Sequence, residues 1–305
     1  MNCDTHRLSD DTHISVAPNW GANMFSWVVD GTEIMYCPDD YPGAAWKITG
    51  GGNPLLFPSV GRTYNTTGPE PVLGRYEIYG HDRPYEMITH GVLFHCMWTV
   101  SDKSSGPGFV SVTYSAGIPD TVRSDNYPFD VSFSQRYTLR EKSVELESLL
   151  VNSGPGPAPA AFGYHPYFRV SNPRREGISV DLPVTKRMFL DQNTQLNGQS
   201  ESAEGKIALE PDVYYDHPFS GIIGQRMTLS DSRAGRRVHI DFDESFELLF
   251  LYSPDGADFV CVEPWTRGLG GYSALRNPGW ENGESIPVLA PGESQSHRAV
   301  FSVEF

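Results

Sequence analysis

Two residues have the chemistry and the setting to move a proton. His165 lies in Phe162-Gly163-Tyr164-His165-Pro166-Tyr167-Phe168, between two tyrosines and directly before a proline. Pro166 fixes its own φ and holds the residue before it in extended geometry, so the backbone sets the direction of the imidazole. An imidazole changes charge near neutrality under small perturbations, which suits it to proton exchange with an oxygen. The same setting fits a histidine hydrogen-bonded in an aromatic corner. Glu263 follows the apolar run Phe259-Val260-Cys261-Val262 and precedes Pro264. A proline there is expected to end ladder pairing, which puts the carboxylate at a strand end. Partial desolvation raises its pKa toward the range of a general base. An ion pair with Arg62 or Arg267 is the structural alternative.

Other polar residues sit in aromatic, turn-rich segments, where binding groups concentrate. His90 lies in Thr89-His90-Gly91, and Arg62 follows a loop glycine in Phe57-Pro58-Ser59-Val60-Gly61-Arg62-Thr63. A guanidinium at that place can hold a hydroxyl or orient a carboxylate, or simply pair at the surface. Asp216, in Tyr214-Tyr215-Asp216-His217-Pro218-Phe219, can accept bonds from a diol or close a turn with its own side chain. Trp265 and Tyr167 offer apolar faces of the kind that line small-molecule sites, and either fits a core equally well.

The elements that must position these residues are strands. Phe109-Val110-Ser111-Val112-Thr113-Tyr114, the run from Ser143 to Leu150, Arg237-Val238-His239-Ile240-Asp241-Phe242 and the run from Ala299 to Phe305 alternate apolar and polar residues with period two. No comparably long window has helical spacing. The 30 glycines and 24 prolines are scattered between these runs as turn punctuation, which favours a sandwich or barrel. Ser153-Gly154-Pro155-Gly156-Pro157-Ala158-Pro159 reads as a loop between strands rather than a linker, so residues 1–305 are expected to form one domain.

Composition removes several classes of function. A net charge of -15, from 38 acidic and 23 basic residues, would repel a phosphate backbone or an anionic membrane surface. No apolar run approaches the roughly 20 residues needed to cross a bilayer as a helix. The polar start lacks the apolar stretch of a secretory signal, so a cytoplasmic location is expected. Cys3, Cys37, Cys96 and Cys261 lie far apart with no paired spacing, which indicates neither zinc nor a disulfide framework. Cys96 and Cys261 sit in apolar runs and read as small buried hydrophobes without a role.

Taken in order, the segments resemble the aldose 1-epimerase, or galactose mutarotase-like, family. Gly21-Ala22-Asn23-Met24-Phe25-Ser26 and Asp30-Gly31-Thr32-Glu33-Ile34-Met35-Tyr36 resemble its opening hairpin, and Leu56-Phe57-Pro58 through Arg62 resembles its arginine loop. His90-Gly91 is similar to its first active-site histidine. Gly163-Tyr164-His165-Pro166-Tyr167-Phe168 matches the motif that carries its general acid, and Glu263-Pro264-Trp265 the segment with its glutamate. Asp216-His217-Pro218-Phe219 resembles its aspartate segment, with Asp212 a competing register, and Val288 to Ser294 its turn before the last strand.

The resemblance implies an all-β fold, a large antiparallel β-sandwich, and an isomerase that needs neither metal nor cofactor. Its partner would be a small-molecule sugar, and the chain would act as a monomer or homodimer. Glu263 would take the proton of the anomeric hydroxyl and His165 would protonate the ring oxygen. His90 would assist them, and Arg62, Asp216, Tyr167 and Trp265 would hold the sugar. Gly61 stands where the family often has asparagine, and after His90-Gly91, where its sugar-phosphate branch tends to carry arginine, come Leu93, Phe94 and His95. A hexose-6-phosphate mutarotase, a non-catalytic carbohydrate-binding sandwich and a glycoside hydrolase are the competing readings. The last needs two carboxylates at defined separation.

Overall fold

The computed structural model describes residues 3–38, 50–65 and 70–305. The expected period-two runs are strands. Ser143–Asn152 alternates buried and outward side chains, with Val144, Leu146, Ser148, Leu150 and Asn152 turned inward. It pairs antiparallel with Val131–Leu139 on one side and Ser294–Glu304 on the other, so Leu146 stands beside Tyr137 and Ala299. These three strands lie in the middle of a nine-stranded sheet that runs from Thr99–Gly106 to Lys206–Ala208. Among the described residues there is one α-helix, the short Asp120–Asp125. None is long and apolar enough to cross a membrane.

A second large sheet carries the candidate site. Its order is Leu196–Ser202, Val184–Leu190, Tyr215–Ile222, Leu248–Ser253, Phe259–Trp265, Gly163–Tyr164 and Leu55–Leu56, with Tyr167–Arg169 also paired to Phe259–Trp265. Its inner face packs on the nine-stranded sheet. Phe168 meets Phe301 edge-on at 5.6 Å between ring centres, Phe162 stacks on His297 at 4.6 Å, and the Tyr164 hydroxyl lies 2.8 Å from Ser148 Oγ. Phe168 and Phe301 are both fully buried, and burying a side chain of that size contributes about 1.5–3 kcal/mol.

The opening hairpin forms from Asn23–Val29 and Thr32–Glu33. The dense Pro/Gly segment joins Ser143–Asn152 to the short Ala158–Pro159 strand, as a loop between strands. One expectation fails. Pro264 does not end its strand, because Phe259–Trp265 continues through it, with Leu249 opposite Pro264 and Leu248 opposite Trp265. On the other edge of that strand, Gly163–Tyr164 and Tyr167–Arg169 are separate pieces with Pro166 between them. Pro264 therefore falls at the interruption of that ladder, and its missing N–H leaves the pairing with Leu248–Ser253 on the other side intact.

Candidate active site

The registers on the two sides of that interruption agree. Gly163 pairs with Trp265, and Tyr167 pairs with Cys261. Counting inward from either pair brings His165 opposite Glu263. Successive side chains in a strand alternate faces. Val260, Val262 and Phe168 thus face the core, whereas Cys261, Glu263, Trp265 and His165 share the other face.

His165 Nδ1 lies 3.4 Å from Glu263 Oε2, with side-chain exposures of 5% and 0%. They touch without hydrogen-bond geometry. His165 Nδ1, both carboxylate oxygens of Glu263 and Trp265 Nε1 are buried without a well-formed hydrogen bond, and only the nearby Trp265 side chain helps to hold the carboxylate. Among the described residues neither Arg62 nor Arg267 forms an ion pair with Glu263, and Arg267 instead pairs with Glu247 at 2.6 Å and with the Gly283 carbonyl. Burial, and next the charge of Asp216, pushes the Glu263 carboxyl well above the usual carboxylate range. Burial, and next His90, holds His165 well below the usual imidazole value. Both shifts disfavour charge, so burial favours a protonated Glu263 carboxyl beside a neutral imidazole.

The pair lines a cavity of about 160 Å³ together with Arg62, His90, Asp216, Trp265, Tyr167 and residues sequence reasoning did not select. That is below the roughly 300–1,000 Å³ of drug-sized ligand sites and fits a small molecule. Tyr167 stacks on the His165 ring, 4.7 Å away and 3° from parallel, and so fixes the imidazole plane. Trp265 stacks on Phe250 at 4.5 Å and presents an edge to His90 at 5.8 Å. Gly163 makes room for it, because a Cβ there would lie 2.5 Å from Trp265 Cδ1.

His90 and Gly91 dock on the arginine loop. His90 N donates to the Gly61 carbonyl at 2.9 Å, and Gly61 N donates back to His90 Nδ1 at 3.1 Å. A ring nitrogen that accepts carries no proton, so the geometry puts the neutral ring's hydrogen on Nε2. Burial, then Arg62, pushes this imidazole down to about 3, which keeps it neutral. His90 adopts φ +67°, a conformation costing about 1–2 kcal/mol for a non-glycine residue. Gly91 follows at φ +89°, and a Cβ on it would fall 1.9 Å from the Phe57 carbonyl oxygen. Only glycine permits that approach.

Arg62 makes no side-chain hydrogen bond or ion pair among the described residues, and its guanidinium is the only cationic chain among the cavity's lining residues. Asp216 is in a strand rather than a turn, opposite Tyr252, and lines the cavity. Burial raises its pKa, against the pull of Arg62. Asp212 is exposed, outside the cavity lining, with its amide bonded to Asp255. The unselected residues include Phe250 and Tyr252, two positions apart on the strand facing Glu263, and Leu190 and Thr194 near the 191–195 turn. The continuous apolar run Leu248-Leu249-Phe250-Leu251-Tyr252 marks a strand, but nothing in the sequence chose the face of Phe250 and Tyr252.

A family model for aldose 1-epimerase matches residues 4–302. The chain belongs to the aldose 1-epimerase family. Among curated relatives, the chromosomal LacX protein of Lactococcus lactis is 23% identical over 255 residues, covering 78% of this chain and 79% of that one. Among solved structures, the Slr1438 protein of Synechocystis is 24% identical with a TM-score of 0.80, over 99% of this chain and 96% of that one. A galactose mutarotase-like protein from Lactobacillus casei is 20% identical with a TM-score of 0.80, over 99% and 100%. Galactose 1-epimerase from Lactobacillus acidophilus is 16% identical with a TM-score of 0.72, over 99% and 98%. These likenesses concern the fold. The aldose 1-epimerase sandwich is the architecture of this chain.

Proposed function

We propose that the protein is a mutarotase, interconverting the α and β anomers of an unmodified aldose by acid–base ring opening and closure. The observation that carries this reading is the 3.4 Å approach of His165 Nδ1 to Glu263 Oε2. The anomeric hydroxyl oxygen and the ring oxygen of a pyranose are bonded to one carbon. An acid and a base acting on two such neighbouring atoms must themselves be neighbours. Glycosidases, by contrast, hold two carboxyl groups about 5–9.5 Å apart, around the scissile bond.

In the opening step Glu263 takes the proton of the anomeric hydroxyl, the bond from C1 to the ring oxygen breaks, and His165 protonates that oxygen. The step begins with imidazolium and carboxylate and ends with neutral imidazole and carboxylic acid. That final state is the tautomer which burial favours in the resting site. Rotation about C1–C2 and reversal of both transfers closes the ring on the other face of the aldehyde, so the pair ends with the proton it began with. His90 Nε2–H is a fixed donor toward the ring, and Arg62 and Asp216 hold hydroxyls. Arg62 as the lone cation of the lining favours an uncharged sugar over a sugar phosphate. A cytoplasmic monomer or homodimer is the setting this reading assumes.

The test is polarimetry of freshly dissolved α-D-glucose and α-D-galactose with the protein and with Glu263→Gln and His165→Asn. Acceleration lost in both variants supports the reading. No acceleration of several free hexoses and pentoses by folded protein overturns it, in favour of passive sugar binding or a modified sugar.

A further inference from the structure

Cys261 reads in the sequence as a small buried apolar residue, and its thiol takes no part in the proton transfers above. It is two residues before Glu263 in the same strand, so its side chain emerges on the same face. One ligand-capable atom from each of His165, Cys261 and Glu263 lies within 4.8 Å of the other two, and all three residues are buried. His165 Nδ1 and both Glu263 oxygens lack a well-formed hydrogen bond. An unpaired buried polar atom costs about 1–3 kcal/mol, and here three of them meet beside a thiol.

Imidazole nitrogen, thiolate sulfur and carboxylate oxygen form a donor set that suits zinc. Zinc–nitrogen and zinc–oxygen distances of about 2.0–2.2 Å at a tetrahedral angle put those two donors about 3.4 Å apart. His165 Nδ1 and Glu263 Oε2 are 3.4 Å apart already. A zinc–sulfur distance of about 2.3 Å requires the thiol to close by roughly 1 Å from the widest separation the site allows. His165 and Glu263 line the cavity and Cys261 lies behind its wall, and a water or a hydroxyl from the cavity would complete the tetrahedron.

We propose that His165, Cys261 and Glu263 form a binding site for a thiophilic divalent cation, best suited to zinc, whose occupancy inhibits the enzyme. Binding releases two protons to solvent, one from the Cys261 thiol and one from the Glu263 carboxyl, and turns a Glu263 lone pair into a ligand bond. The metal-bound carboxylate is then a much weaker base for the anomeric proton, and the bound His165 nitrogen can no longer carry a proton to the ring oxygen. The inhibitory part rests on the mutarotase reading, whereas the cation site does not.

Cys3 is exposed and Cys37 half-buried, so both are changed to serine to remove competing thiols. The untagged, chelator-stripped protein is titrated with cobalt(II) by visible absorption, then with zinc, and zinc inhibition of mutarotation is followed by polarimetry. The expected result is a saturable cobalt–thiolate charge-transfer band that zinc abolishes. Cys261→Ala should remove the band and weaken zinc binding at least about tenfold, with the metal-free mutarotation rate unchanged. Cys261→Ser provides the same comparison if the alanine variant does not fold. Absence of the band in the parent protein, or zinc affinity unchanged without the thiol, overturns the site. Zinc bound at full mutarotation rate overturns the inhibition. A cobalt band in protein that is inactive when metal-free sustains the site and removes the reaction reading instead.

Discussion

His165 stands directly across from Glu263 on the neighbouring strand, in the one gap of a ladder whose pairs on either side, Gly163 with Trp265 and Tyr167 with Cys261, share a single register. The gap exists because Pro166 and Pro264 lack the N–H groups that would fill it. Each side chain is fixed from a different direction, His165 by the stacked Tyr167 ring and Glu263 by its place inside a continuous strand.

Replacing either member should remove most of the activity and leave the fold. Glu263→Gln and His165→Asn are each expected to lower kcat about 10²- to 10⁴-fold, the range of a general acid or base. The double variant should lose little more than the worse single one, because the pair acts as a unit. Polarimetry gives the rates and circular dichroism the fold. Near-full activity in either single variant would exclude the pair.

The pH dependence follows from a pair that holds one proton. His165 titrates below its usual 6.5 through burial and His90, and Glu263 above the usual carboxylate range through burial and Asp216. Adding a second proton gives an acid limb below pH 6.5, and losing the shared proton gives an alkaline limb. In chelator-treated protein kcat should be bell-shaped, with both limbs belonging to the pair as a whole. An acid limb centred at or above 6.5 would contradict the arrangement.

Glu263 should also cost stability. Above the ordinary carboxylate pKa the unfolded chain has released its proton while the folded site keeps it, so folding stability falls as pH rises toward the raised folded value. The slope is at most about 1.4 kcal/mol per pH unit. Glu263→Gln carries no such group, and its advantage over the parent in urea melts should grow between about pH 5 and pH 8. A constant difference would mean that the carboxyl is not raised.

Gly91→Ala tests the mounting of His90. The added Cβ would meet the Phe57 carbonyl oxygen at 1.9 Å, at a φ of +89°. Backbone must move, at a cost of at least about 1–3 kcal/mol, seen as a lower Tm. The movement carries His90 Nε2–H off its line to the cavity, so kcat/KM should fall together with stability. Unchanged kinetics in the folded variant would show that His90 is not a donor to the sugar.

Arg62 is expected to act in binding. Arg62→Ala should raise KM about tenfold or more with a smaller change in kcat, and lysine should restore only part of it, because an ammonium lacks the planar fork. A hexose 6-phosphate should be no better a substrate than the free hexose. A strong preference for the phosphate would overturn the uncharged-sugar reading.

The sequence by itself determined the strand content, the positions of the main reversals and the short segments that could carry chemistry. All of these are written in neighbouring residues: alternation in Ser143–Asn152, proline after His165, glycine after His90. What it left open depended on residues distant in the chain. Only long-range pairing makes His165 the neighbour of Glu263, lets Phe259–Trp265 run through Pro264, and turns Cys261 from core filler into a third donor on the same face. Tertiary packing also selected Asp216 over Asp212, since two aspartates four positions apart look alike until one lies in a strand beside Tyr252 and the other in solvent. Local sequence carries propensity and alternation, while register and face are settled when the sheet closes, because shifting a strand by one residue exchanges its two faces.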